Sequence, residues 1–300
     1  MKRLFLFLTV KIAVMFMLTV VMQVILALAG PEVREALYGD GIDIFGLAVF
    51  ALVFGMGGAF ISLLISKPMA KWSTGAQVID GTESDDARWL VTTVERLART
   101  ANVKMPEVAI YRGAPNAFAT GAFKNSALVA VSDQIMAQMD RSELEAVLGH
   151  EMSHVVNGDM VTLTLVQGVL NAFVLVFSRV LASMLSGSGR GSGRRSDGAL
   201  YMLLVLVLQI ALGVLASLVV MWFSRRREYA ADAGSAKLLG TPSSMIAALR
   251  RLGNLQPGVL PDSLRAMGIA EGRKTSVWST HPSLDDRIRA LENLGADAFL

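Results

Sequence analysis

The sequence predicts an α+β protein, mostly helical, with four transmembrane helices and a hydrophilic domain built from two separate segments. Hydrophobic residues form 53% of the 300 residues and charged residues only 18%, whereas soluble domains carry about 25% charged residues. Four apolar runs are close to or above the length of about 20 residues that a helix needs to cross a bilayer. The hydrophilic segments combine amphipathic helical patterns with short apolar strand patterns.

The four runs predict two membrane hairpins that divide the chain into four parts. The parts are an N-terminal hairpin at 1–66 with helices at about 4–30 and 44–66, a hydrophilic segment at 67–159, a second hairpin at 160–224 with helices at about 160–182 and 199–223 and a flexible Gly/Ser-rich loop at 186–198, and a hydrophilic segment at 225–300. The first run also has a signal-peptide interpretation, because Ala27-Leu28-Ala29 resembles a cleavage site. Its apolar part exceeds the roughly 7–15 residues usual in a signal peptide, which favours an uncleaved anchor.

Charges beside the runs predict which loops lie in the cytoplasm. The basic residues that favour the cytoplasmic side are Lys2, Arg3, Lys67, Lys71 and the three arginines at 225–227. These positions follow the general excess of basic residues in cytoplasmic loops. The loop of the second hairpin breaks the pattern, because it carries Arg190, Arg194 and Arg195. The sequence therefore leaves open whether the second hairpin fully spans the membrane.

Apolar spacing in the hydrophilic segments predicts four helices and two strands. The helices are Asp85–Ala101, Asp140 to about Asn157, Met245–Leu252 and Leu284–Leu294, and the strands are Glu107–Tyr111 and Ala127–Val131. Asp140 and Glu143 form a capping-box pattern at the start of the second helix.

The chemistry available to the chain is narrow. It has no cysteine and only three histidines, at 150, 154 and 281. Disulfides, iron–sulfur clusters and thiolate metal sites are therefore excluded. The net charge of +3 is small, and the basic residues lie beside apolar runs rather than on one basic face, so we expect no nucleic-acid partner.

Two of the three histidines fall in the segment His150-Glu151-Met152-Ser153-His154. Residues four apart share one face of a helix, so both imidazoles can bind one ion. Glu151 then lies beside the first ligand, where it can reach a water on the metal. This is the H-E-x-x-H arrangement of zinc metallopeptidases.

Catalytic zinc typically has three protein ligands and one position for water. Glu228 is the best candidate for the third ligand, and His281 is the alternative. Glu228 and Asp232 are four residues apart, so Asp232 can accept a hydrogen bond from a ligand histidine and fix its tautomer.

The ordered set of motifs resembles the HtpX-type membrane zinc metalloproteases, which are bacterial relatives of the prenyl-protein endoproteases. The segments that carry the resemblance are Ser66–Lys71, Pro115–Gly121, His150–Met160, Glu228–Asp232 and Thr280–Pro282. The resemblance implies a zincin-like (gluzincin) metalloprotease domain that faces the cytoplasm from the bacterial inner membrane. It implies one Zn²⁺ per chain on His150, His154 and Glu228, with Glu151 as the catalytic glutamate.

The resemblance also implies a task in membrane-protein quality control and stress response. The expected partners are misfolded or unfolded membrane-protein substrates and the lipid bilayer, with a functional link to other membrane quality-control proteases. Three other functions remain open: a non-catalytic scaffold or chaperone, a transporter or channel, and a processor of lipidated peptides. Glu151 disfavours a scaffold, because a structural zinc site needs no base beside its ligands.

Further roles are hypotheses with a structural alternative for each. His281 is the candidate donor to the oxyanion of the transition state, or it only orients the helix that follows it. Arg287 supports the site, or it is a surface charge. The segment Asn116, Ala117, Phe118, Ala119 and Thr120 is an edge strand that pairs with extended substrate, or an ordinary loop.

Overall fold

The computed structural model describes residues 44–187, 198–255, 269 and 279–294, and this part of the chain is mostly helical with one small sheet. Its elements are α1 (Ile44–Thr74), β1 (Gln77–Ile79), α2 (Asp85–Thr100), β2 (Glu107–Tyr111), β3 (Ala117–Thr120), a 3₁₀ turn (Lys124–Ser126), β4 (Leu128–Ser132), α3 (Asp133–Gln138), α4 (Arg141–Asn157), α5 (Asp159–Gly187), α6 (Gly198–Leu239), α7 (Ser243–Asn254) and α8 (Leu284–Glu292).

Three of the described helices are long and apolar enough to cross a membrane. They contain the candidate spans Gly46–Thr74, Asp159–Ser186 and Gly198–Leu239. The expected first span at about 4–30, with its signal-peptide alternative, lies outside the described residues. Residues 188–197 of the expected Gly/Ser-rich loop also lie outside them.

The chain divides into two compact units. Among the described residues, the first unit comprises 44–61, 164–187 and 198–220, and the second comprises 62–163, 221–255, 269 and 279–294. All the residues predicted for the site belong to the second unit.

The membrane-length helices extend past their predicted ends. Helix α1 continues from 66 to Thr74, although Pro68 inside it removes one backbone hydrogen bond. Helix α6 continues from 223 to Leu239 and ends before Gly240, which adopts a left-handed φ of 73°. The charged segment after the apolar run contains no proline, so nothing in its sequence stops the helix earlier.

The second unit is built around a four-stranded sheet in the order β1-β2-β4-β3. Strands β2 and β4 pair in parallel, while β1 and β3 are antiparallel edge strands. Helix α4 contacts β3, β4, α2 and α7, so it lies in the middle of this unit. The predicted strands and the four predicted helices of the hydrophilic segments are confirmed to within a few residues.

Two backbone signals fix the ends of α4. Asp140 accepts from the backbone N–H of Glu143 at 2.8 Å, and the Glu143 carboxylate accepts from the Asp140 N–H at 3.1 Å. This is the predicted capping box. Gly158 ends the helix with a left-handed φ of 69°.

In the first unit, α1 and α5 approach closely where both carry small residues. A Cβ added to Gly55 would lie 2.6 Å from the backbone nitrogen of Ala172, and one added to Gly168 would lie 3.1 Å from Cα of Met56. The helix backbones can be this close only because glycine has no side chain, as is common for helix pairs in membranes.

We therefore expect Gly55→Ala to lower thermal stability, because backbone atoms of α5 must move to accommodate the methyl group. Gly57→Ala is the matched control in the same helix, since a Cβ there meets no described atom within 4 Å. The control should be neutral or stabilise by up to about 1 kcal/mol through helix propensity. Thermal unfolding of both variants in detergent checks this, and equal midpoints would contradict it.

Candidate metal centre

Helix α4 brings His150 and His154 together inside the second unit. The two residues are 1% and 7% exposed, and their Nε2 atoms are 3.1 Å apart. They lie one helical turn apart on one face, as residues at i and i+4 do.

Glu228 of α6 completes a group of three. Its Oε2 lies 3.6 Å from His150 Nε2 and its Oε1 lies 3.4 Å from His154 Nε2. The ligand atoms of these buried residues all lie within 4.8 Å of one another, so they could hold a metal ion.

Each histidine is oriented by a carboxylate on its other ring nitrogen. His150 Nδ1 donates to Asp232 Oδ1 at 2.9 Å, and His154 Nδ1 donates to Asp159 Oδ2 at 2.6 Å. With Nδ1 protonated in both rings, both Nε2 lone pairs face the same space beside the Glu228 carboxylate. Such lone pairs repel one another unless a cation lies between them.

The donor set fits zinc in both chemistry and spacing. Nitrogen ligands at about 2.0–2.1 Å from a tetrahedral zinc ion are about 3.3 Å apart, close to the 3.1 Å between the two Nε2 atoms. Burial lowers the pKa of His154, but hydrogen bonds with Asp159 and Glu228 outweigh it and raise the pKa to about 10. The surroundings therefore favour positive charge at this point, which either a proton on Nε2 or a metal ion in its place supplies.

Arg287 is not a surface residue: it is fully buried and binds Asp232 with two nitrogens. Arg287 Nε donates to Asp232 Oδ2 at 2.8 Å and Nη2 donates to Oδ1 at 2.6 Å. Carboxylates on this guanidinium raise its pKa above the ordinary value against the effect of burial. The guanidinium holds the carboxylate that orients His150.

His281 lies beside the third member of the group. Its Nδ1 is 2.8 Å from Glu228 Oε2, and the side chain is 5% exposed. Its Nε2 has no hydrogen-bond partner among the described residues.

Glu151 lies on α4 next to His150, with 1% exposure. Ala119 on β3 lies close enough to the Glu151 carboxylate for its backbone to lower the pKa of Glu151 in part. Its Oε2 has no partner in the described part of the chain. Burial raises the pKa of Glu151 above the ordinary value for a glutamate.

The segment expected to bind substrate contains β3, an edge strand whose four residues are buried. Part of its outer edge is already bonded, because Ile269 N donates to Ala117 O at 3.2 Å and to Asn116 Oδ1 at 3.0 Å. Asn116 Oδ1 also accepts from Ala117 N at 2.8 Å. Phe118 is fully buried and packs 5.6 Å from the Tyr111 ring, so it belongs to the core.

Sequence reasoning missed two charged residues at this centre, Asp159 and Arg227. Asp159 binds His154, and Arg227 Nε lies 3.2 Å from the other oxygen of Asp159. The five-residue spacing from His154 carries no helical signal, because Gly158 interrupts the helix between them.

The chain is similar to known proteins over most of its length. Residues 84–295 match the model of peptidase family M48. The chain is 53% identical to a Protease HtpX homolog of Verminephrobacter eiseniae, covering 99% of this chain and 100% of that one. It is 52% identical to another Protease HtpX homolog, from Chlorobium phaeobacteroides, covering 98% and 99%.

A solved structure shares the fold at lower identity. The crystal structure of Ste24p from S. mikatae matches with a TM-score of 0.54 and 19% identity over 92% of this chain. This chain spans 66% of that one.

The family match, the buried His-His-Glu group and the membrane-length helices together identify a multi-pass membrane metalloprotease. The chain belongs to peptidase family M48 and is of the HtpX type. The resemblance drawn from its motifs is therefore confirmed.

Replacing Arg287 should destabilise the protein strongly, because Arg287→Met leaves the buried Asp232 carboxylate without its cation. Loss of one partner from a buried ion pair costs about 3–5 kcal/mol. Arg289→Met is the control on the same helix, since that side chain is 69% exposed and exposed ion pairs contribute about 1 kcal/mol or less. Thermal unfolding in detergent distinguishes the two, and a control-like midpoint for Arg287→Met would refute the prediction.

Proposed function

We propose that the protein is a membrane-bound zinc-dependent endopeptidase that cleaves misfolded or unassembled membrane proteins. The observation that carries this proposal is the convergence of two Nε2 lone pairs and one carboxylate on a single buried point, with each Nδ1 bonded to a carboxylate. A zinc ion held there by His150, His154 and Glu228 would supply a Lewis acid and a more acidic water.

In this proposal Glu151 is the general base. Its buried carboxylate has one oxygen without a partner among the described residues. The pKa of this carboxyl is raised above the ordinary value for a glutamate, in the direction of neutral pH. A base with a pKa near the working pH is most effective in proton transfer. Glu151 takes a proton from the attacking water and returns it to the leaving amine, so it acts first as base and then as acid.

His281 is the proposed donor to the oxyanion that forms on the peptide carbonyl. Its Nδ1 contact with Glu228 leaves the opposite ring nitrogen directed away from that carboxylate. A donor aimed at the developing negative charge stabilises the transition state more than the ground state.

Extended substrate is proposed to pair with β3, in the segment from Asn116 to Thr120. Helix α4, which carries Glu151, contacts β3, and Ala119 lies close to the Glu151 carboxylate, so this strand is next to the proposed base. Since Ile269 already binds Ala117 O, we assign substrate pairing to the Ala119–Thr120 end of the strand. Backbone pairing selects extended, unfolded chain rather than a particular side chain.

The wider setting follows from the resemblance to the HtpX type. We propose four membrane spans, with the first at about 4–30, and a gluzincin domain formed by the hydrophilic segments 67–159 and 225–300. The domain is proposed to face the cytoplasm from the bacterial inner membrane, with one zinc per chain. We also propose that the enzyme works beside other membrane quality-control proteases.

Replacing Glu151 tests the central proposal. Glu151→Gln keeps the metal ligands and should lower cleavage of an unfolded membrane protein by about 10²–10⁴-fold, with unchanged zinc content. Glu145→Gln on the same helix is the control, because Glu145 binds Arg96 rather than the centre. Equal cleavage by both variants would exclude Glu151 as the base, and a wild-type chain that binds zinc without cleaving would favour a scaffold.

Replacing His281 tests the oxyanion role separately. His281→Ala should lower kcat by about 10²–10³-fold, the typical effect of losing one oxyanion donor, while KM and zinc content change little. Peptide turnover and metal analysis of the folded, zinc-loaded variant check this. Unchanged turnover would leave His281 with a structural role only.

A further inference from the structure

A second carboxylate–arginine pair lies at the metal centre, opposite the pair formed by Asp232 and Arg287. Asp159 uses Oδ2 to accept from His154 Nδ1 at 2.6 Å, and its Oδ1 lies 3.2 Å from Arg227 Nε. The side chains of Asp159 and Arg227 are 8% and 12% exposed. One oxygen of this buried carboxylate therefore accepts a hydrogen bond from a histidine, and the other forms an ion pair with a guanidinium.

Asp159 and Arg227 are each adjacent in the chain to an element that carries a proposed metal ligand. Asp159 is the first residue of α5 and follows the left-handed Gly158 that ends α4. Arg227 directly precedes Glu228 in α6. The ion pair therefore ties the residue that orients one metal ligand to the helical turn that carries another.

We propose that Asp159 and Arg227 are positioning residues for the metal. Asp159 keeps His154 protonated at Nδ1 and its ring turned toward the ion, while Arg227 compensates the charge of Asp159 and fixes its carboxylate. The inference rests on the proposed function, because it assumes that the metal binds at His150, His154 and Glu228. Neither Asp159 nor Arg227 contacts the metal or the substrate, so their effect reaches the reaction only through His154.

Because the pair is buried, losing Arg227 should cost more than losing one partner of an exposed salt bridge. A carboxylate taken out of water without a cation is strongly disfavoured. Among the described residues, loss of Arg227 leaves Asp159 bound only to the His154 imidazole. Among the described residues neither Nε nor Nη1 of Arg227 makes a hydrogen bond, so Arg227 holds Asp159 by charge at 3.2 Å rather than by an aligned hydrogen bond. The two residues should therefore act together, and the losses of metal affinity caused by replacing each of them should not add in the double variant.

The test measures metal affinity directly and does not depend on activity. The full chain is stripped of metal in detergent, and Zn²⁺ and Co²⁺ affinities are measured by competition with a chelator, together with the visible spectrum of the Co²⁺ form. The variants are Asp159→Asn, Arg227→Gln and the double substitution. Arg226→Gln is the matched control, because Arg226 is exposed and stacks on Trp222 at 5.0 Å.

Asp159→Asn should weaken metal binding by about 10–100-fold, as loss of a histidine-orienting carboxylate does, and should change the Co²⁺ spectrum. Arg227→Gln should weaken binding less, the double variant should be no weaker than Asp159→Asn alone, and Arg226→Gln should resemble the wild type. Arg227→Gln keeps the His154–Asp159 bond, so it tests the pair even if Asp159→Asn does not fold.

Three results would overturn the inference. Asp159→Asn could bind metal with wild-type affinity and spectrum, the losses of the two single variants could add in full, or Asp159→Asn could lower only the unfolding temperature of the metal-free chain. Failure of the wild-type chain to bind either metal is a different result, because it overturns the proposed zinc site itself.

Discussion

The balance of charge at the buried centre is the constraint on which the second unit depends. Glu151, Glu228, Asp232 and Asp159 supply four negative charges when ionised, and Arg227 and Arg287 supply two positive charges. When the rings of His150 and His154 are neutral, as metal ligands are, the remaining two negative charges equal the charge of one divalent cation. Since uncompensated buried charge costs several kcal/mol, the same arrangement that holds the protein together also favours metal binding.

These charged groups come together only because the backbones of α4 and α6 pack very close to each other. A Cβ added to Gly149 would lie 2.7 Å from Ser235 Oγ, and one added to Gly234 would lie 2.5 Å from Ser153 Oγ. The serines bond to backbone carbonyls of α4, since Ser235 Oγ donates to Ala146 O and Ser153 Oγ donates to Gly149 O, both at 2.7 Å. Glycine facing serine thus sets the separation between the histidines of one helix and Glu228 of the other.

Much of the fold could be predicted because the signals are local. Periodicity and the capping box located α2, β2, β4, α4, α7 and α8, and apolar length located the three described membrane-length helices. Strand β1 has only three residues and α3 only six, too short for a pattern to stand out from its surroundings. Helix α6 runs past its apolar part to Leu239, because a change from apolar to charged residues marks a change of environment, not the end of a helix.

By itself, the sequence determined the features that depend on spacing along one element. His150 and His154 face one point because a helix repeats every 3.6 residues, and the long apolar runs can satisfy their backbone in a membrane only as helices. The sequence proposed Glu228 and Asp232 for that point, but the tertiary structure alone decided which histidine Asp232 binds and that Arg287 binds Asp232. Asp232 lies 82 residues from His150 in the chain and Arg287 lies 137 residues from it. Contacts at such separations arise from the packing of α8 and α6 against α4, so Arg287 is a buried partner rather than a surface charge, and Asp159 and Arg227 join the centre without any sequence motif.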